Sequence, residues 1–249
     1  MRALIGVVLG LGGLCCNHLA VAQWDPQMTA DLGRGMGQIA LSQSILSGTR
    51  RIGSGDAPAN NAKAPVVTPQ SAASLTYIPD PRVSEQTRAA VLDTLSRQNP
   101  ALRARMDGAL NSGTVLKIFD RFMSLHGFSS RNVADDMAMQ LLVSWEIVTG
   151  NVATPVQIRG ADNQVRGIFL STPRLRAMTN VERQEMAENI AYQIVIGSAA
   201  NRQFRKTGDQ AQLAQLRQSA ETILRQRGID VSRLRLTERG FLTSSPPLR

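Results

Sequence analysis

The stretch from Asn132 to Gly150 constrains the fold more than any other. Asn132 is a good N-cap, Asp135 and Asp136 fall in the first turn, where exposed N–H groups favour negative charge, and Gly150 is placed to stop a helix. Between these ends Met137, Leu141, Trp145 and Val148 lie on one side, and Met139, Val143 and Ile147 on others. Apolar side chains therefore nearly encircle the helix. Such a helix has to be covered on every side, so the spacing predicts a central buried helix with others packed around it.

The flanking sequence supplies those others. Ser84 can cap a helix to about Arg97 that turns Val91, Leu92 and Leu95 inward, and Pro100 suits the first position of a short helix to Leu110. Ser112 begins the next, with Val115, Ile118, Phe119, Phe122 and Leu125 as one stripe, Gly127 as the stop and Phe128 folding back on it. Thr154-Pro155 resembles a cap followed by proline at the first helical position, and Ile158, Ala161, Val165, Ile168 and Phe169 recur at helical spacing. A β-hairpin turning at Asp162-Asn163 is the competing reading there, favoured by Gly160 and Gly167. Thr179 with Glu182 makes a capping box for a helix through Met186, Ile190 and Ile194 toward Asn201 or beyond. Asp209 then starts a last long helix, striped by Leu213, Leu216, Ala220 and Ile223, that stops at Gly228. The expected fold is all-α, an irregular bundle of about six to eight helices.

Before this domain the composition changes. Residues 48–74 are crowded with Gly, Pro, Ala, Asn and Ser and read as a flexible linker, separating the domain at 75–241 from residues 23–47, a segment of possible amphipathic helix. In that segment Met28, Leu32, Met36, Ile39 and Leu46 fall near helical spacing, while Gly33, Gly35 and Gly37 weaken it. Residues 242–249 read as a disordered tail. Residues 1–22 read as a signal peptide: Arg2 gives the positive start, Ala3 to Cys16 carries no charge, and Ala20-Val21-Ala22 fits the small-x-small cleavage pattern. The uncharged run is too short for a membrane span, and the bulky Leu14 and Cys15 argue against lipoprotein processing. The expected product is exported, periplasmic or extracellular, with no transmembrane helix.

Cleavage near Ala22 removes Cys15, Cys16 and His18, leaving a cysteine-free chain with His126 as its one histidine. Disulfides, thiolate sites and cysteine nucleophiles then drop out together, and neither a zinc nor a multi-histidine iron site is expected. No cofactor is expected. The formal charge is +9, carried almost wholly by Arg. From Arg202 onward, Arg202, Arg205, Lys206, Arg217, Arg225, Arg227, Arg233, Arg235, Arg239 and Arg249 outnumber Asp209, Glu221, Asp230 and Glu238. Such a field attracts anionic envelope material or an acidic protein partner. With aromatic residues at 4%, the stacking platforms of a single-strand nucleic-acid binder are missing, and nucleic acid is not expected.

Each candidate for chemistry has a structural explanation beside it. His126, near Asp120 or Asp135, is the nearest thing to an acid/base pair, with Ser112, Ser129 or Ser130 as nucleophiles; as a residue of a helix's last turn it is equally a cationic cap. Glu182, Glu185 and Glu188 repeat at three-residue spacing, as carboxylate metal clusters do, but without their histidines they read as first-turn acids that pair with Arg183 or a neighbouring helix. Glu146 lies near Met139 and Val143 on the buried helix and needs either an Arg from another helix or a polar ligand pocket. Arg225, Arg227, Arg233 and Arg235 are the candidate partner surface.

The pieces Leu75-Thr76-Tyr77 with Pro79, Gly127 to Asp135 leading through Trp145 to Gly150, Gln184 to Glu188, and Gly228-Ile229-Asp230 through Leu236-Thr237 to Gly240-Phe241 together resemble a family of uncharacterised bacterial secreted helical proteins, a domain of unknown function. The resemblance implies an exported helical domain and no particular chemistry. The function expected is a non-enzymatic interaction or binding module with an Arg-rich C-terminal surface. The alternative is an envelope hydrolase or small-ligand-binding protein with its site near Glu146 or His126.

Overall fold

The computed structural model describes residues 75–96, 107–108, 110–226 and 229–243. The leader at 1–22, the N-terminal segment, the linker, most of the helix expected from Pro100, the Gly228 stop and residues 244–249 lie outside the described residues. Among the described residues there are seven α-helices: α1 Pro81–Ser96, α2 Thr114–Leu125, α3 Val133–Thr149, α4 Pro155–Ser171, α5 Pro173–Arg176, α6 Asn180–Thr207 and α7 Gln210–Gln226. A 3-10 turn at Val231–Arg233 leads into a hairpin of β1 Leu234–Thr237 and β2 Gly240–Thr243. The all-α bundle is the observed fold, with this one small sheet added.

α3 is the central helix. Asn132 caps it, its side chain accepting the Ala134 N–H, and Gly150 ends it at φ 77°, a conformation that favours glycine. Every residue from Val133 to Val143 is buried, which the encircling apolar pattern demands. α6, α4 and α7 pack directly on it, and α6 also holds α1 and α2. The 28-residue α6 begins with the expected capping box, Thr179 and Glu182 each satisfying the other's backbone N–H, and ends at Gly208 in the left-handed region. A buried Leu or Phe side chain contributes about 1.5–3 kcal/mol. Phe119, Phe169, Leu75, Leu141 and Leu175, all fully enclosed, anchor one contiguous core.

Several local expectations are corrected. α1 starts at Pro81, three residues before Ser84: the Asp80 carboxylate accepts the Arg82 N–H at 2.9 Å, so Asp80 is the cap and Pro81 takes the first helical position. Ser84 instead donates its hydroxyl to Glu188 across the helix pair, at 2.6 Å. On α2, Leu125 is 60% exposed, while Met123 is fully buried with Val115 and Phe119. At 100° per residue Leu125 lies about 80° off Val115 on the trailing side, and the buried face follows the i, i+4 row through Phe119 and Met123. The stop after α2 is as expected: Gly127 has φ 76°, and Phe128 folds back to donate its N–H to the Met123 carbonyl at 3.0 Å. On α7, Asp209 caps by accepting the Gln212 N–H at 3.0 Å, and Leu213, Leu216, Ala220 and Leu224 are buried.

Between Thr154 and Phe169 helix prevails over hairpin. Thr154 and Gln157 form a full capping box, and Gly160 serves an approach that no β turn requires. A Cβ at Gly160 would stand 2.2 Å from the Glu238 carbonyl oxygen, so α4 touches the tip of the real hairpin there. That hairpin, overlooked in favour of an all-helical end, places Leu234, Leu236 and Phe241 inward and pairs Arg235 with Leu242 and Thr237 with Gly240. Its β2 runs to Thr243. Four-residue strands are marginal alone, and this pair leans on the helices. Trp145 Nε1 donates to the Leu234 carbonyl and Gln157 Nε2 to that of Leu236, both at 3.2 Å. Gln164 satisfies both backbone groups of Phe241, accepting its N–H at 2.7 Å and donating to its carbonyl at 2.9 Å. Gln157 and Gln164 are two helical turns apart on one face of α4, a rise of about 10 Å, which is the reach needed to meet the outer edges of two paired strands.

Candidate functional site

The first turn of α3 carries the densest polar group in the core. Asp135 is 1% exposed and Asp136 fully buried. Asp135 accepts the Ser129 N–H at 2.9 Å, and one of its oxygens lies 2.5 Å from Arg166 Nη2. Arg166 also forks its Nε across both oxygens of Asp162, one helical turn earlier on α4, at 2.9 Å each. One guanidinium thus joins α3 to α4 through two carboxylates. Burial pushes the Asp135 carboxyl up to about 6, against the pull of the Ser129 N–H and of Arg166. Asp162 is raised for the same reason. Neither carboxyl oxygen of Asp136 has a hydrogen-bond partner, and burial, reinforced by the neighbouring Asp135 charge, makes it a much weaker acid than an ordinary carboxyl.

The polar seam continues toward α1 and α6. Tyr77 donates its hydroxyl to the Ser130 carbonyl at 3.0 Å, and burial together with the charges of Asp136 and Glu188 resists its ionisation. Glu188, 4% exposed, accepts from Ser84 and, at 2.8 Å, from Gln184, while its other oxygen has no partner. Desolvation raises its carboxyl too. Gln184 also donates to the Asp80 carbonyl at 2.9 Å, and a Gln140–Gln193 hydrogen bond ties α3 to α6.

The residues singled out from sequence are not brought together. His126 is the C-cap residue of α2, its ring edge-on to Phe122, centroids 4.9 Å apart, and partial burial lowers its proton affinity. Its proposed partners are engaged elsewhere: Ser130 Oγ donates to Asp120 at 2.5 Å, and Asp135 faces Arg166. Glu146 lies in the last turn of α3 and accepts the Ala153 N–H at 2.9 Å, with Arg205 of α6 near enough to favour its charge while burial opposes it. Its bonded partner is thus the backbone, and Arg205 acts on it through its charge without forming the expected ion pair. Glu146 and the His126 turn stand at opposite ends of α3, roughly 20 Å apart at 1.5 Å per residue. Glu182 caps, Glu185 is exposed and Glu188 is buried, so the three acids share no site. Among the described residues no group of three or more His, Cys, Asp or Glu is placed to hold a metal ion. None of the described helices is long and apolar enough to cross a membrane.

Of the basic candidates, Arg225 is exposed near the end of α7, 3.6 Å from Glu221, and Arg233 and Arg235 are exposed at the entry to the hairpin and on β1. Arg239 is exposed at the hairpin tip. Arg227 lies outside the described residues. Sequence reasoning passed over Asp135, Asp136 and Arg166 as a group. The signal for the two acids was present, since a first turn on a helix apolar all round has no solvent side to offer them. Nothing in the sequence connects Arg166 to Asp135.

No curated protein and no solved structure matches the chain. A family profile does match, over residues 42–244, which takes in all the elements described above. The chain therefore belongs to the Family of unknown function (DUF6683).

Proposed function

We propose that this chain is an exported, non-enzymatic binding module that meets an anionic envelope component through its Arg-rich C-terminal surface. One observation carries the reading: the C-terminal Arg side chains stay outside and outnumber the exposed acids around them. Arg225, Arg233, Arg235 and Arg239 are exposed, whereas of the acids in the same stretch only Asp209 and Glu238 are exposed. The positive excess is thus presented to solvent, and it is concentrated after Arg202. Export is supported by Arg2, the uncharged run that follows it and Ala20-Val21-Ala22, with cleavage after Ala22.

The test is titration of the secreted chain with a soluble acidic polymer, polyglutamate, as salt is raised from about 50 to about 300 mM. Affinity is expected to fall steeply, and to be largely lost when Arg225, Arg227, Arg233 and Arg235 are replaced together by Ala. Salt-independent binding, or a variant that binds as well as the parent, overturns the electrostatic reading. The alternative, a hydrolase or small-ligand site at Glu146, draws on the raised proton affinity of that half-buried carboxyl. It predicts that Glu146→Gln abolishes a hydrolytic or ligand-binding signal without lowering the melting temperature.

A further inference from the structure

We infer that the outer face of the C-terminal hairpin is a docking strip for an anionic lipid surface, an inference that rests on the Arg-rich binding module proposed above and names its partner. Arg235 and Leu242 are direct cross-strand partners and share the face turned to solvent. Leu242 is 42% exposed, one of few large apolar side chains left outside. Arg233 stands exposed where the chain enters β1 and Arg239 at the turn, so guanidinium groups flank the leucine at both ends of the strip. Glu238, also exposed at the turn, is the one acid among them.

The edges of the hairpin decide what kind of partner this face can take. Its outward carbonyls at Leu234 and Leu236 and both backbone groups of Phe241 are already bonded to Trp145, Gln157 and Gln164. An extended peptide adding itself as a third strand would have to displace those bonds. Recognition therefore falls to side chains on the face. Arg is suited to fork two hydrogen bonds onto a phosphate, and a leucine between such arginines can enter the boundary between head groups and acyl chains. A soluble acidic polymer satisfies the arginines but makes no use of Leu242. The helices hold the strip still: Gly160 lets α4 touch the hairpin tip, and the Gln164 side chain packs so closely on Gly240 that a Cβ there would be 2.5 Å from its Oε1.

The experiment is co-sedimentation of the secreted full chain with vesicles of phosphatidylglycerol and phosphatidylcholine, against vesicles of phosphatidylcholine alone. Binding is expected only to the anionic vesicles. Each Arg lost should cost about fivefold, so replacing Arg233, Arg235 and Arg239 by Ala should weaken binding about 100-fold. Leu242→Ser should weaken vesicle binding severalfold while leaving polyglutamate binding and the thermal melt unchanged. Equal binding to both vesicle types, or a Leu242→Ser variant that binds vesicles like the parent, overturns the inference. Salt-dependent polyglutamate binding without vesicle binding overturns the lipid inference and leaves the basic-surface reading standing; loss of both overturns both.

Discussion

At the scale of single residues the buried acids of α3 decide how this protein responds to pH. An unfolded Asp releases its proton near 3.8, whereas folded Asp135 holds it to about 6, and burial shifts Asp136 in the same direction. The folded state therefore binds more protons than the unfolded one across this interval, and stability falls as pH rises from about 4. For Asp135 alone the loss is on the order of 3 kcal/mol by the time pH passes 6. Thermal melts should give a higher Tm at pH 5 than at pH 7.5, opposite to ordinary acid denaturation. Asp136→Asn keeps the shape and removes the proton; it should raise Tm by about 4 °C or more at pH 7.5, leave it unchanged near pH 4, and flatten the profile. A different outcome follows from breaking the ion pairs. Arg166→Met strands Asp135 and Asp162 together in the core and should cost about 3–5 kcal/mol in urea unfolding at pH 7.5. The two acids were legible as residues and as a first turn. Their role was not, because the guanidinium that sets it comes from another helix thirty residues on, and no local periodicity records that meeting.

At the scale of elements the sharpest test is Gly160. On an isolated helix Gly→Ala stabilises by about 1 kcal/mol. Here the new Cβ would strike the Glu238 carbonyl at 2.2 Å, and backbone cannot swing aside as a side chain can. The clash should outweigh the propensity gain, giving a net loss of about 1–2 kcal/mol by urea unfolding. Gln164→Ala should act more locally, raising hydrogen exchange at the Phe241 amide by an order of magnitude while the exchange of α3 amides is unchanged. The helices were readable because caps, stops and stripes are written within one turn of the residues they govern: Asn132, Gly150, the Thr179–Glu182 box and Gly127 all perform as their types require. Ser84 misled because Asp80 and Pro81 form a better start just before it, leaving the serine hydroxyl to Glu188. The hairpin was not readable, since its four-residue strands exist only where Trp145, Gln157 and Gln164 complete their backbone bonds.

At the scale of the whole molecule, the excess of Arg over acids, with the C-terminal Arg side chains left outside, makes self-repulsion a standing cost. Raising salt from about 20 to about 300 mM should therefore increase Tm at pH 7.5, by screening charges farther apart than the Debye length. A fall in Tm would mean that surface attractions outweigh the excess charge. The sequence by itself determined the class of fold, the place of α3 at its centre, most helix boundaries and the sign of the surface field, because each follows from local capping, from 3.6-residue periodicity or from simple composition. Only the tertiary structure decided that Asp136 is sealed without a partner, that Arg166 ties two helices, that His126 and Glu146 stand apart, and that a hairpin closes the chain. Those are meetings between residues far apart in sequence, and their energies come from burial and from bonds across elements, which exist only once the helices have packed.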